Sequence, residues 1–259
     1  MAFSLAGKWI LITGASSGFG AAAASAFGAL GCNLLLGARR VDRLESTAAA
    51  AHKAGAPQAL VHALDVTKTM NVEAFVAWAK TKTSAVDVLI NNAGGAHGLD
   101  SVANGRDEDW EATIQTNVLG LLRVTRAVLP LMPKDSGSTI LNIGSVAGRW
   151  AYEGGSVYCA AKAGELKITQ TLRLELNGTG IRVSSLDPGL ARTEFGSVRF
   201  KGDQAKADKV YDGVIPLTAE DIAETLVWMA TRPPHVNIDE MVIKCVDQAA
   251  TFKVFRRTK

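Results

Sequence analysis

The feature that most constrains the fold of this chain is a glycine-rich turn between an apolar run and an alanine-rich run. The segment Lys8–Thr13 is short and mostly apolar, which is typical of a buried parallel strand. The turn Gly14–Gly20 carries glycines in the spacing G-x-x-x-G-x-G and leads into a helix predicted over Ala21–Leu30. Backbone N–H groups at such a helix start can approach a pyrophosphate. We therefore predict a nucleotide site here; three glycines in one turn are also compatible with a structural role.

Strand-like and helix-like segments alternate along the chain. The predicted strands are Lys8–Thr13, Cys32–Gly37, Gln58–Leu64, Val86–Ile90, Thr139–Gly144, Ile181–Leu186 and Ile238–Val246. The predicted helices are Ala21–Leu30, Val41–Ala54, Thr69–Lys82, Asp107–Met132, Ser156–Leu176 and Thr218–Thr231. This alternation predicts an α/β protein: a single-domain Rossmann fold over residues 1–259, with a doubly wound, mostly parallel seven-stranded sheet and helices on both faces. The polar, irregular stretch at about 190–215 is predicted to be a substrate lid.

Tyr158 and Lys162 are the most informative pair of polar residues. They are four residues apart, so one helix carries both side chains on the same face. An ammonium beside a phenol favours the phenolate and lowers the pKa of a tyrosine from about 10 towards neutrality, which suits proton exchange near working pH. Ser145 ends a predicted strand and is a candidate to hydrogen-bond a substrate oxygen. Taken alone, the Tyr-x-x-x-Lys pair is also compatible with chance on a solvated helix.

Two arginines follow the second predicted strand, where an NAD-binding fold tends to carry an acid for the ribose 2′-hydroxyl. The guanidinium groups of Arg39 and Arg40 suit a 2′-phosphate, which favours NADP over NAD. The alternative acid, Asp42, is predicted to lie in the first turn of the next helix. Asp65 follows the third strand, where a contact with the adenine amino group and a loop cap are equally compatible with the pattern.

Several polar residues close the later strands. Asn91-Asn92-Ala93-Gly94 ends the fourth strand and is expected to bridge strand ends or line the cofactor site. Asn117 lies inside a predicted helix, an unfavourable position that indicates either a bend that holds a water or a tolerated polar residue. Asp187-Pro188-Gly189 is expected to shape the turn at the nicotinamide end. His97 is left out of the mechanism, and Arg199 in the lid is either solvated or paired with a substrate carboxylate.

Composition excludes other classes of function. The 28 basic and 25 acidic residues are well mixed and give a net charge of only +3, which argues against nucleic acid as a partner. No apolar run of about 18 residues is present, so no membrane span is expected, and the first residues lack the layout of a signal peptide. The three cysteines are far apart and form no C-x-x-C, which is typical of reduced thiols in the cytoplasm. No metal is expected.

The motifs together resemble the short-chain dehydrogenase/reductase family over essentially the whole chain. They are Thr13-Gly14-x-x-x-Gly18-x-Gly20, Asn91-Asn92-Ala93-Gly94, Asn117, Ser145, Tyr158-x-x-x-Lys162 and Pro188-Gly189. The resemblance implies that Tyr158 is the catalytic acid/base and that Ser145 holds the carbonyl oxygen, so that both contact the substrate. It also implies that Lys162 binds the nicotinamide ribose and lowers the pKa of the tyrosine, and that Asn117 positions a water in a proton relay.

The same resemblance implies a set of cofactor contacts. They are Gly14, Ser16, Ser17, Gly18, Phe19, Gly20, Arg39, Arg40, Asp65, Val66, Asn92, Ala93, Gly94, Tyr158, Lys162, Pro188, Gly189 and Thr193. The reaction it implies is hydride transfer between NADP and a secondary alcohol or ketone.

Finer matches are similar to one branch, the NADP-dependent serine and 3-hydroxy acid dehydrogenases. They include Gly37-Ala38-Arg39-Arg40, Tyr152-x-Gly154-Gly155-x-x-Tyr158 and the lid segment Thr193–Asp203. That branch implies small 3-hydroxy acids or β-hydroxy amino acids such as serine and allo-threonine as substrates, and a homotetramer. The chain departs from the branch at Ala151, which replaces a proline, at Glu153, which brings an acid close to the site, and at Lys244 and Cys245, which interrupt the last strand.

Two alternative functions remain, one within the same family and one without catalysis. A broad carbonyl reductase of the same family would share every motif above. A protein that binds NADP(H) without catalysis would retain the glycine turn but would not need all four catalytic residue types. A sugar epimerase or dehydratase also carries Tyr-x-x-x-Lys, but the roughly 70 residues after Asp187 are too few for the larger substrate domain that such enzymes carry.

Overall fold

A seven-stranded sheet organises the computed structural model, which describes residues 3–258. The strands are β1 (Trp9–Thr13), β2 (Asn33–Ala38), β3 (Ala59–Ala63), β4 (Val88–Asn91), β5 (Thr139–Ile143), β6 (Arg182–Pro188) and β7 (Glu240–Ile243). Their order is β3-β2-β1-β4-β5-β6-β7, and every neighbouring pair is parallel. The predicted Rossmann sheet is thus confirmed, and it is parallel throughout. A short antiparallel pair, β8 (Gln248–Ala250) and β9 (Lys253–Val254), follows it.

Helices follow the strands as the alternation predicts. They are α1 (Gly18–Ala29), α2 (Val41–Ala54), α3 (Thr69–Lys80), α4 (Asp107–Ile114), α5 (Gly120–Val128), α6 (Ser156–Glu175), α7 (Phe195–Arg199), α8 (Gln204–Lys209) and α9 (Ala219–Ala230). Short 3₁₀ turns cover Val102–Asn104, Leu129–Leu131 and Val146–Gly148. Among the helices described, none is both long and apolar enough to cross a bilayer.

The sheet has a hydrophobic core on each face because its strands are apolar at successive positions. In β1, Ile10 and Ile12 pack into the core that α1 and α9 cover, whereas Leu11 packs into the core beneath α3 and α5. All three side chains are fully buried. Burial of each such side chain contributes about 1.5–3 kcal/mol, so a strand that is apolar on both faces has only one favourable place, the middle of a layered α/β domain.

The predicted long helix Asp107–Met132 is interrupted. A π-helical turn over Gln115–Leu119 separates α4 from α5. Asn117 lies in this turn and is buried, and its amide nitrogen donates to the carbonyl of Thr113, 2.7 Å away, and to that of Gly95, 2.8 Å away. A side chain that bonds to the backbone in this way competes with regular helix geometry, which accounts for the π-helical turn at this residue.

The carboxyl-terminal part differs more from the prediction. The lid at 190–215 contains the two short helices α7 and α8 where an irregular stretch was predicted. β7 ends at Ile243, so the strand predicted to run to Val246 is wrong at its end. Lys244 comes after the strand, where its ammonium lies 5.4 Å from the ring centre of Trp150. A charged side chain that follows an edge strand is thereby kept outside the sheet.

Candidate active site

One large cleft lies at the carboxyl ends of the central strands. It has a volume of about 590 Å³ and is bounded by the glycine turn after β1, the strand ends of β2, β4, β5 and β6, and the lid. Nearly all the residues implied as site residues line it: Gly14, Ser16, Ser17, Gly18, Phe19, Arg39, Arg40, Asp65, Val66, Asn92, Ala93, Gly94, Ser145, Tyr158, Lys162, Pro188, Gly189 and Thr193. Such a volume is ordinary for a small-molecule or cofactor site.

The glycine turn is held tightly against the end of β4. Gly14 has φ +64°, and a Cβ there would lie 2.9 Å from the Cα of Ala93. Gly18 has φ +54° at the start of α1, and a Cβ there would contact Thr193 of the lid. Asn92 also fixes the turn, since its amide donates to the carbonyls of Thr13 (2.9 Å) and Gly14 (3.1 Å). The backbone N–H groups at the start of α1 therefore border the cleft in a fixed arrangement.

Gly20 and Asn117 do not line this cleft. Gly20 lies beneath the turn, where a Cβ would come within 2.6 Å of the Asn92 amide, so this glycine packs the turn and is not placed as a cofactor contact. Asn117 lies behind the cleft and binds both backbone groups of Gly95: it donates to the carbonyl and accepts from the N–H at 3.2 Å. It therefore supports the wall of the cleft from behind.

The far end of the cleft carries the two arginines. Arg39 is exposed, whereas Arg40 is half-buried and donates to the hydroxyls of Ser17 (2.8 Å) and Ser16 (3.3 Å). Arg40 also pairs with Glu194 of the lid at 2.9 Å, and Arg43 contacts the same carboxylate. Slight burial acts to raise the pKa of Glu194, but hydrogen bonds from the two arginines lower it overall. Guanidinium and hydroxyl donors thus cluster at this end of the cleft, where they already bind the carboxylate of Glu194 and where another anion could bind.

Asp65 makes the loop cap that the sequence left open. Its Oδ1 accepts from the N–H of Thr67 at 2.9 Å and from the Thr67 hydroxyl at 2.7 Å. Burial acts to raise the pKa of Asp65, but these hydrogen bonds and the charge of Arg39 lower it overall. Asp65 also lines the cleft, so the cap does not exclude a contact with a ligand. Asp42 lies in the first turn of α2, as predicted.

We call five residues around the ends of β5 and β6 and on α6 the floor of the cleft: Ser145, Tyr158, Lys162, Glu165 and Asp187. Tyr158 lies in the first turn of α6, and Ser145 caps the 3₁₀ turn that follows β5. The Ser145 Oγ accepts from the Ala147 N–H at 3.1 Å, which leaves its own proton to be donated. Ser145 and Tyr158 both line the cleft.

Lys162 is held by two acceptors inside the floor. Its ammonium donates to the carbonyl of Ile143 at 2.6 Å and to Oε2 of Glu165 at 2.7 Å. Burial favours the neutral amine, but Glu165, with contributions from Tyr158 and Asp187, raises the pKa of Lys162 above its ordinary value. The remaining donor of the ammonium is free for a group bound in the cleft that Lys162 lines.

The lid brings a guanidinium over the floor. Arg199 at the end of α7 donates to the Tyr152 hydroxyl at 2.9 Å and to the carbonyl of Gly98 at 3.2 Å. Its guanidinium carbon lies 5.8 Å from the ring centre of Tyr158, and Phe195 packs on the same ring at 5.5 Å. Among residues 3–258, no carboxylate forms an ion pair with Arg199.

Other residues lie differently from what the sequence indicated. Glu153 is exposed and does not line the cleft, and His97 lies outside it as well. Burial lowers the pKa of His97, which favours the neutral imidazole. Sequence reasoning missed Gln248 of β8, which lines the cleft and accepts from the Leu190 N–H at 2.7 Å. It also missed Glu165, although its spacing of three from Lys162 on one helix was a usable signal.

A Rossmann sheet with a glycine turn at one end of a cleft and a Tyr-x-x-x-Lys pair at the other defines a class of dinucleotide-dependent enzymes. The chain matches the family model described as short chain dehydrogenase over residues 8–204. It therefore belongs to the short-chain dehydrogenase family, as the sequence motifs indicated.

Individual relatives cover nearly the full length. The chain is 46% identical over 241 residues to a sulfoacetaldehyde reductase of Chromohalobacter salexigens, which covers 93% of this chain and 94% of the relative. It is 43% identical to an NADP-dependent 3-hydroxy acid dehydrogenase of Salmonella typhi, with 93% and 96% covered. Among solved structures, the closed form of serine dehydrogenase complexed with NADP+ superposes with a TM-score of 0.88 at 38% identity, over 96% of this chain and 100% of that one.

Proposed function

We propose that this oxidoreductase transfers a hydride between NADP and a small alcohol or carbonyl compound that carries an anionic group. The observation that carries the proposal is the position of Arg199: a guanidinium without a carboxylate partner among the described residues, next to the ring of Tyr158. The branch that the sequence resembles narrows the substrate to a 3-hydroxy acid or a β-hydroxy amino acid such as serine or allo-threonine.

The residues of the cleft fit NADP. The close approach of Gly14 to Ala93 keeps the turn free of side chains where a pyrophosphate would meet the start of α1. Arg40, Ser17 and the exposed Arg39 offer the donors that a 2′-phosphate requires. The relatives named as NADP-dependent support the same choice. We place Asp65 and Val66 beside the adenine, and Asn92, Pro188, Gly189 and Thr193 along the nicotinamide half.

When bound, the nicotinamide would accept a hydride from the alcohol carbon in oxidation and return it to the carbonyl carbon in reduction, while the residues of the floor transfer the proton. In the direction of oxidation, the phenolate of Tyr158 accepts the proton of the substrate hydroxyl while Ser145 donates to the same oxygen. In reduction, the phenol returns that proton to the developing alkoxide. Lys162 favours the phenolate electrostatically and uses its free donor for the nicotinamide ribose. A general acid–base group of this kind accelerates a reaction by about 10²–10⁴.

Asn117 has a supporting part in this proposal. It holds the backbone of Gly95 from a buried position within the π-helical turn. A cavity of about 10 Å³ that Asn117 lines is at the lower limit for one water molecule, which supports a place there for the water of the proton relay that the family resemblance implies. We propose that Asn117 positions that water and does not contact the substrate.

Arg199 accounts for the anionic substrate. A guanidinium forms charge-assisted, bidentate hydrogen bonds with a carboxylate or a sulfonate. These hydrogen bonds are stronger where water is partly excluded. Tyr152 keeps the guanidinium in place, since its hydroxyl accepts from Arg199 and burial raises the pKa of this tyrosine to about 12. The names of the relatives include both kinds of acid, a 3-hydroxy acid and a sulfonated aldehyde.

A spectrophotometric screen tests the proposal. Serine, allo-threonine and 3-hydroxyisobutyrate are supplied with NADP+, and sulfoacetaldehyde and neutral aliphatic and aromatic ketones with NADPH. We expect the acids to have the highest kcat/KM and NADP to be preferred over NAD. Equal or better turnover of neutral ketones would instead indicate a broad carbonyl reductase. Bound NADPH fluorescence without turnover of any compound would indicate a binding protein.

We further propose one domain over 1–259, with the lid at 190–215 closing on the substrate. A homotetramer is supported by the exposed apolar side chains of the carboxyl-terminal part, Ile215, Val246, Phe252 and Phe255. Light scattering after size-exclusion chromatography measures the mass in solution, and the mass of a monomer would contradict the homotetramer. Unpaired thiols at all three cysteines support a cytoplasmic location, which cell fractionation tests.

A further inference from the structure

A buried carboxylate lies directly under the proposed catalytic lysine. Glu165 follows Lys162 by three residues on α6, and its side chain is only 3% exposed, while that of Lys162 is 7% exposed. Their charged groups are 2.7 Å apart. A carboxylate enclosed to this degree is costly unless it is paired, so its position on the helix requires an explanation beyond packing.

Lys162 depends on Glu165 for its charge. A lysine buried without an opposite charge loses its proton readily, and its pKa falls by up to several units. The other close partner of the ammonium is the carbonyl of Ile143, which carries no net charge. The remaining groups that act on the pair are Tyr158, on the same helix, and Asp187 of β6. Arg149 engages the carboxylate of Asp187 at 2.6 Å, which leaves Glu165 as the direct counter-charge.

The carboxylate has a polar pocket behind it. A cavity of about 10 Å³ is bounded by Thr13, Asn91, Asn117 and Glu165. Asn91 is buried, and among the described residues its Oδ1 has no hydrogen-bond partner. This volume is at the lower limit for one water molecule, and the lining supplies several polar groups for it. Burial raises the pKa of Glu165 to about 7 although Lys162 acts in the opposite direction, so the carboxylate carries its charge at pH values above about 7.

Building on the proposed function, we propose that Glu165 is a positioning residue that keeps the Lys162 ammonium charged and aimed at the cleft. It acts on Tyr158 only through Lys162. Removal of the carboxylate leaves a buried lysine that gives up its proton at lower pH. Above that pH, Tyr158 has lost the ammonium of Lys162 and retains only the guanidinium of Arg199, 5.8 Å from its ring centre, so formation of the phenolate requires a higher pH.

Ultraviolet titration of tyrosinate in the protein without cofactor or substrate tests this directly. The chain has only three tyrosines. Burial raises the pKa of Tyr152 to about 12 and also raises that of Tyr211, and the titration step that disappears in Tyr158→Phe is the step of Tyr158. In Glu165→Gln we expect the midpoint of that step to rise by about one pH unit. An unchanged or lowered midpoint would overturn the proposal.

Two further variants separate this role from a general effect. Glu175→Gln removes a charge from the exposed end of the same helix and should leave the midpoint where it is. In a Lys162→Met background, Glu165→Gln should no longer raise the midpoint, because the residue through which it acts is gone. A persisting upward shift there would mean that Glu165 acts on Tyr158 directly. If Glu165→Gln fails to fold, Glu165→Leu removes the same charge with an apolar side chain.

The activity profile gives a second readout. In the alcohol-oxidation direction, the rise of kcat/KM with pH should move upward by the same amount in Glu165→Gln as the tyrosinate midpoint. The two readouts also separate this proposal from the proposed function. A shifted midpoint in a protein that turns over none of the acids would support the role of Glu165 and contradict the substrate, whereas turnover with an unshifted midpoint would do the reverse.

Discussion

The floor and the lid of the cleft hold their charged groups in opposite ways. In the floor, the buried Lys162 and Glu165 pair with each other on α6, and the buried Asp187 of β6 is held by Ser185 of the same strand and by Arg149. In the lid, Glu194 is exposed and Arg199 is half-buried, and each is tied to the rest of the protein by side-chain contacts across the cleft. The floor is therefore a rigid arrangement and the lid an adaptable one.

This difference indicates a division of work. Buried pairs whose partners lie on strands and a long helix keep reacting groups in one geometry, which proton transfer needs whatever the substrate is. Exposed pairs are weak and exchange partners easily. Changes in the floor should therefore lower turnover of every substrate, whereas changes in the lid should alter which substrate or cofactor is preferred.

The largest expected effect comes from Tyr158→Phe in the floor. It removes the proton-transfer group, so kcat should fall about 10²–10⁴-fold on all substrates, while the Kd of NADPH changes little. Steady-state kinetics and fluorescence titration measure the two quantities. Tyr211→Phe is the matched control: its hydroxyl donates to the Ala191 carbonyl within the lid, and its loss should lower kcat less than about tenfold. Wild-type activity in Tyr158→Phe would contradict the assignment.

Arg40→Ala should have the next largest effect, and it should concern the cofactor alone. Loss of charge-assisted hydrogen bonds to a 2′-phosphate corresponds to a Kd for NADPH that is about 10- to 100-fold higher, with little change for NADH. Arg39→Ala should likewise raise the Kd of NADPH more than the Kd of NADH. Fluorescence titration with both nucleotides checks it, and equal losses for NADPH and NADH would remove the argument for NADP.

Glu194→Gln should have the smallest effect, and in the opposite direction. The carboxylate competes with a 2′-phosphate for Arg40 and Arg43, so its removal should tighten NADPH by up to about fivefold, as expected for an exposed ion pair. Glu153→Gln, another exposed acid, is the control and should leave the Kd unchanged. Weaker binding of NADPH in Glu194→Gln would mean that the lid carboxylate orients the arginines for the cofactor.

The part of the fold that the sequence predicted best is the part set by local patterns. The first six strands end within two residues of their predicted ends, because runs buried on both faces of a parallel sheet are continuous and apolar. Asn117 was an informative misfit: a residue that disfavours helices, inside a helical pattern, marked the π-helical turn.

What the sequence could not predict depends on contacts between distant segments. Gln248 reaches the turn after β6 only because the β8–β9 hairpin folds back there, and no local pattern encodes that approach. The helices α7 and α8 are too short for a periodic signal. The structural role of Gly20 under the turn was likewise invisible, since one spacing of glycines is compatible with ligand contact and with packing.

The central claim is that the floor performs the chemistry and Arg199 selects an anion. It is tested most directly by kcat/KM for allo-threonine and for its methyl ester, in the wild type and in Arg199→Met. The account predicts that the variant loses about 10- to 100-fold on the acid and little on the ester, so that the preference for the acid disappears. An equal loss on both compounds, or an unchanged preference for the acid, would contradict it.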